Sequence, residues 1–184
     1  NDILDGSTGI DTAIYSGSLS DFTLTKGTDS WAITTSDESD SLVNIERLQF
    51  TNTNVALDLD GNAGKTAKLL GAILGAEGVS NKVYVGAGLY FLDGGMTYEE
   101  LMQVALDVVL GANPSSSSVV NLFYSSLVGS AAPADILSEY SELIDNGSLS
   151  AAQLGIAVAD HSLNVANIDL IGLAQSGLEY TLYG

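Results

Sequence analysis

The chain has 184 residues, no cysteine, and 23 acidic residues against five basic ones, a formal net charge of −18. That length holds one medium domain or two small ones with real cores, and the missing cysteine excludes disulfide staples and thiolate metal sites. The acidic balance argues against nucleic acid and anionic membrane surfaces as partners and attracts divalent cations.

The basic residues are Lys26, Arg47, Lys65, Lys68 and Lys82, and none occurs from Val83 to Gly184. No apolar run approaches the roughly 20 residues needed to span a bilayer, so no membrane span is expected. The chain opens on Asn1-Asp2 without Met and without the charged and apolar regions of a signal peptide, which reads as a piece of a longer protein.

At the start, the nonapeptide pattern G-G-x-G-x-D-x-U-x lies on Gly6 to Ile14, with Ser7 in the second glycine position. Asp2 stands nine residues before Asp11 and is followed by Ile3 and Leu4, the back half of a preceding repeat. In parallel β-rolls of this kind a glycine turn exposes carbonyls, the Asp adds a carboxylate, and the apolar residue points inward. Calcium, a hard cation wanting six to eight oxygens, suits such a site. Asp2, Gly6, Thr8 and Asp11 are the candidate ligands; the plain alternative is an acidic turn before a strand.

Thr12 to Tyr15, Asp21 to Lys26 and Ser30 to Thr35 read as strands, with Phe22/Leu24 and Trp31/Ile33 alternating. Gly17, Gly27 and the Ser-Asp cluster at Ser36 to Asp40 mark turns. Ile45 to Phe50 and Asn54 to Leu59, joined by Thr51-Asn52-Thr53, are expected to complete a small antiparallel sheet. In the last of these Val55, Leu57 and Leu59 alternate with Ala56, Asp58 and Asp60, the period of a half-buried strand with both aspartates on one face. Asp58, Asp60 and Asn62 have the alternate-oxygen spacing that opens a calcium loop, but Gly71 stands where the bidentate Glu is needed. The alternative there is a strand end with solvated carboxylates, Asn62 or Asp60 capping the next helix. Gly61 to Thr66 ends like a P-loop, yet its first glycine position holds Leu59, and two aspartates would repel phosphate.

Helical spacing begins at Lys65 and runs to Leu74. The remainder carries an internal repeat with an offset of about 53 residues: helix, turn, helix, an Asp-Gly-Gly or Asp-Asn-Gly break, and a third helix. Thr97 with Glu100 and Ser150 with Gln153 match the capping box that opens each third helix. Asn113 to Ser118 is a turn, and helices resume at Val119 and Pro133. From Leu163 the chain is apolar on most sides, which predicts a buried helix ended by Gly177 and an extended tail from Leu178 to Tyr183.

Tyr15-Ser16-Gly17, Asp21 to Thr25, Asn44 to Phe50 and Ala56 to Gly64 together resemble the C-terminal region of RTX-type proteins exported by bacterial type I secretion. The helical part is similar to a domain of unassigned function found in such tails, through Asn121 to Gly129 and Leu143 to Gly147. It lacks the tryptophan and the Arg-Pro-Asp turn common there. The resemblance implies calcium as the cofactor, an uncleaved export signal near the C-terminus read by a type I secretion transporter, and a secreted, extracellular or cell-surface location. A roll empty inside the cell and filled outside would fold only after export.

Signs of catalysis are missing. His161 is the single histidine, its neighbour Asp160 cannot orient it as a triad requires, and no Gly-x-Ser-x-Gly elbow occurs. Glu99-Glu100 sit at a helix start, where carboxylates complement the dipole. The expectation is an α+β chain: the end of a parallel β-roll with a small sheet over residues 1–60, then a helical domain with an internal repeat and the secretion-signal region over 61–184. It reads as a non-enzymatic module serving type I export and calcium-linked folding of what lies upstream. The alternative is an extracellular binding or adhesion module for a glycan or protein, with Tyr84, Tyr90, Tyr98, Tyr124 and Tyr140 as candidate contacts.

Overall fold

The structure, a computed structural model, describes residues 1–184. Its strands are β1 (Ile3–Asp5), β2 (Thr12–Ile14), β3 (Thr23–Lys26), β4 (Trp31–Thr34), β5 (Ser39–Val43), β6 (Arg47–Gln49), β7 (Asn54–Ala56) and β8 (Leu178–Tyr180). They form two four-stranded sheets, ordered β1-β5-β4-β3 and β2-β6-β7-β8. β1 runs parallel to β5, with Leu4 opposite Leu42, and β2 parallel to β6, with Ala13 opposite Leu48. All other neighbours are antiparallel. The segment β1-turn-β2 therefore lies along β5-turn-β6, each giving one strand to each sheet. The β3-β4-β5 meander serves as the crossover that parallel pairing demands.

This mixed pair of sheets replaces the single antiparallel sheet expected from the sequence. The strand that was not foreseen is β5, because Ser36 to Asp40 read as a turn, so that Ser39 and Asp40 fell within it, while only Leu42 of the strand is fully buried. β7 is also shorter and more enclosed than expected. It ends at Ala56, and all three of its residues are buried, because it carries a layer on each face. Val55 packs with Trp31, Ile33, Leu42 and Leu48 under the strands, whereas Ala56 joins the helical core. Past it the chain turns, with Gly61 N–H donating to Asp58 O at 2.8 Å, so Asp58 and Asp60 do not share a strand face.

Nine helices follow: α1 (Asn62–Leu74), α2 (Ala76–Ser80), α3 (Lys82–Asp93), α4 (Tyr98–Leu110), α5 (Ser116–Val128), α6 (Ala134–Asp145), α7 (Ala151–Ala159), α8 (Ser162–Asn167) and α9 (Leu170–Ser176). α1 starts three residues before the apolar stripe, because the Asp58 carboxylate accepts from the Asn62 and Ala63 N–H groups at 2.8 and 3.3 Å. Both capping boxes are present, at Thr97 for α4 and Ser150 for α7, 53 positions apart. Helices α1, α3 and α4 thus correspond in order to α5, α6 and α7, with α2 an extra turn in the first copy alone. The equivalents pack on one another, α1 against α5 and α4 against α7, around Met102, Leu106, Val119 and Phe123.

The single buried helix expected after Leu163 is instead two short ones. Asp169 adopts a left-handed backbone, φ 48°, and its carboxylate caps the Gly172 N–H at 3.2 Å, which turns the chain between α8 and α9. α8 then buries only Asn164 and α9 none of its residues, leaving Ile171 77% exposed and Leu163 about half exposed. Leu178–Tyr180 is extended, and it is a strand: β8 pairs antiparallel with β7, with Glu179 opposite Val55. Leu178 and Tyr180 are buried in the helical core, so the last strand of the chain closes the second sheet. Gly86 of α3 lies against this segment; a Cβ there would fall inside the Thr181 carbonyl oxygen. No helix is long and apolar enough to cross a membrane.

Candidate functional site

The nonapeptide turn occupies the corner between β1 and β2. Gly6 donates its N–H to Val43 O at 3.1 Å and sits so close to Asn44 O and the Asp11 side chain that no side chain fits there. Ser7 takes a left-handed φ of 65°, closed by its N–H on Asp5 Oδ1 at 2.9 Å; Asn44 Nδ2 donates to the same oxygen at 3.0 Å. These two bonds, the backbone one foremost, hold the Asp5 carboxyl below its ordinary value.

Asp11 is bound to the neighbouring turn through its backbone. Its carbonyl accepts from Glu46 and Arg47 N–H at 3.2 and 3.0 Å, and its N–H donates to Glu46 Oε2 at 2.9 Å. Its Oδ2 is buried with no partner. A carboxylate oxygen stranded this way is costly unless a donor or cation shares it. The structure thus brings Gly6 and Asp11 together, leaves Thr8 exposed on the turn, and puts Asp2 at the opposite end of β1. Glu46, the second carboxylate, carries no motif of its own and reaches Asp11 through the parallel register of β2 and β6. No group of three or more His, Asp or Glu side chains is spaced to hold a metal ion. An all-oxygen donor set with one orphaned carboxylate oxygen fits calcium in kind, and further oxygens are needed to reach its usual number.

Asp58 and Asp60 line a cleft with Asn44 and Glu46, but Asp58, Asp60 and Asn62 do not form one ligand set. Arg47, 3% exposed, donates Nε and Nη2 to Asp93 at 3.1 and 2.8 Å, Nη1 to Glu46 O at 2.8 Å, and Nη1 also to Asp58. Asn62 Nδ2 reaches the same Asp93 at 2.9 Å. Burial opposes the guanidinium charge, but Asp58 and Asp93 outweigh it and raise its pKa. Asp58 and Asn62 therefore tie the end of α3 and the start of α1 to β6, while Asp60 faces solvent.

Two apolar grooves cut the helical half. One, of about 340 Å³, lies between α1, α3 and α4; thirteen of its fifteen lining residues are hydrophobic, and none is charged. The other, of about 280 Å³, lies between α5, α6 and α7. They occupy matching places in the repeat: Leu70, Leu101, Val104 and Val108 of the first are matched, 53 residues on, by Phe123, Leu154, Ala157 and His161 of the second. Thr66 lines the first groove with its hydroxyl buried and unpartnered. Of the five tyrosines considered from the sequence, Tyr84 and Tyr90 are about half exposed; the other three are partly covered. His161 lines the second groove and caps α8, its Nδ1 accepting from Leu163 N–H at 3.2 Å. Asp160 beside it pairs with Lys68 at 2.5 Å instead. Glu100 completes its capping box, and Glu99 accepts from Ser150 Oγ at 3.2 Å, joining the caps of α4 and α7. Compared with family models, curated proteins and solved structures, the chain matches none of them.

Proposed function

We propose that this chain is a non-enzymatic module of a secreted RTX-type protein, serving type I export and calcium-linked folding. The observation that carries the reading is the Asp11 carboxylate, its Oδ2 stranded at a glycine turn between two parallel-paired strands. Outside a cell calcium would share that oxygen together with carbonyls of the Gly6–Thr8 turn; in a calcium-poor cytoplasm the corner would stay unsupported. The export half of the reading draws on the resemblance and on the charge pattern, since no Lys or Arg follows Lys82. Because Leu178 and Tyr180 are buried and paired with β7, a transporter would have to read the C-terminal segment before the chain folds.

Thermal unfolding of the chain in a chelator and in millimolar calcium tests the calcium half. Calcium is expected to raise the midpoint, as any ligand of the native state does. Asp11→Ala should abolish that rise, whereas Asp60→Ala, at an exposed position, should keep it. A midpoint indifferent to calcium would overturn the assignment.

A further inference from the structure

The strand β8 is held from three sides. Along β7 it forms the outer ladder of the second sheet, and Asn54 Nδ2 adds a bond to Tyr180 O at 3.3 Å. From α3, Lys82 O accepts from Thr181 N–H at 2.9 Å, and Lys82 Nζ pairs with Glu179 at 2.5 Å. Leu178 and Tyr180 enter the helical core. The backbone fit leaves no slack: a Cβ on Gly86 would fall 1.8 Å from Thr181 O, and one on Gly177 would fall 2.4 Å from Val55 Cγ1. Tyr180 also stands near the buried ion cluster. Burial raises its phenol pKa; Arg47 works against that rise, and Asp93 and Asp58 add to it.

We propose that β8 is a latch for the whole fold: its seating and the folding of both cores are one event, so a partner that captures residues 178–181 holds the entire chain unfolded. Segments that open alone have few buried contacts and solvent-facing backbone bonds. β8 has neither, since its bonds run to β7 on one side and to α3 on the other. Its departure would strip the ladder from β7, which gives Val55 to one core and Ala56 to the other. It would also empty two places in the helical core and admit water toward Arg47. The contacts of β8 are all distant in sequence, so they form only when strands and helices are both in place. The inference rests on the export reading for the identity of the partner alone. Under that reading a type I transporter gripping this segment keeps its cargo unfolded for passage, and release of the segment starts folding.

Hydrogen exchange of the whole chain in low urea tests the latch with no transporter present, so failure of the export reading leaves the outcome unchanged. The Thr181 amide is expected to exchange with the same urea dependence as amides in the middle of α4 and β4. A shallower dependence at Thr181 would mean that β8 opens alone, and the proposal would fall. Gly86→Ala supplies a second test with an inverted sign. Alanine is the better helix former, so the change should stabilise α3 if β8 were incidental. With its Cβ driven into Thr181 O, it should instead lower the urea midpoint. The fall should be equal for fluorescence of Trp31, the single tryptophan and part of the strand core, and for far-ultraviolet ellipticity, which reads the helices. A raised or unchanged midpoint would overturn the latch. Leu178→Ala, a milder cavity in the same strand, serves where Gly86→Ala does not fold. Both probes should again shift together, and midpoints that separate would refute the proposal.

Discussion

Three residues with buried polar atoms carry most of what is specific to this chain: Arg47, Asp11 and Thr66. They differ in whether their polar atoms are answered. Arg47 is the satisfied one, with two carboxylates and a carbonyl around its guanidinium. Removing one partner of a buried pair leaves uncompensated charge, so Arg47→Leu, which strands Asp58 and Asp93, should destabilise the fold by about 3–5 kcal/mol. Lys68→Leu breaks a pair whose Asp160 is half exposed and should cost less than about 1 kcal/mol. Urea unfolding of both variants at unchanged slope measures the contrast, and equal losses would refute the role given to Arg47. Asp11 Oδ2 and Thr66 Oγ1 find no partner within the protein.

Among the elements, β7 and the two capped helices α4 and α7 organise the rest. β7 divides Val55 and Ala56 between two cores, so one strand holds both the sheets and the helices. The caps are joined as well: Ser150 Oγ accepts from Gln153 N–H at 3.0 Å and donates to Glu99 at the start of α4. Ser150→Ala removes both interactions, and about 1 kcal/mol or somewhat more should be lost. Thermal and urea denaturation read it directly. Glu99→Gln keeps the helix start and weakens only the bridge, so it should lose less than Ser150→Ala; the reverse order would mean the bridge, and not the cap, dominates.

At the scale of the whole molecule, the chain's end is a structural strand and, on our reading, an export signal too. The two roles exclude each other in time, because β8 in place is covered by α3 and paired to β7. Fusion of residues 65–184 to a slow-folding passenger is expected to direct it out of a cell carrying a compatible type I transporter. Removing Leu163 to Gly184 should stop this, with the passenger retained intact inside. If the segment is only core, the truncated fusion should be degraded inside, and total passenger should fall. Measuring passenger in both compartments separates these outcomes, and continued secretion of the truncated form ends the export reading.

How much of this was legible in the sequence follows from the range of the forces involved. Local rules determined the capping boxes, the Thr51–Thr53 hairpin, the helical repeat and the Gly6 turn, since each depends on residues within a few positions of one another. The strand β5, the parallel register that sets Glu46 on Asp11, and the buried Arg47 network were decided only in tertiary structure. Glu46 is 35 residues from Asp11 and Asp93 is 46 from Arg47, and nothing in a polar run such as Ser39–Ser41 announces a strand. The same holds for the tail. Apolar composition predicted a buried helix, but the left-handed Asp169 broke it, and the burial went instead to Leu178 and Tyr180 on a strand whose partner lies 126 residues earlier. The grooves belong to both levels: the repeat in the sequence dictates that there are two equivalent places, and only packing shows that they stay open and that one contains a hydroxyl without a partner.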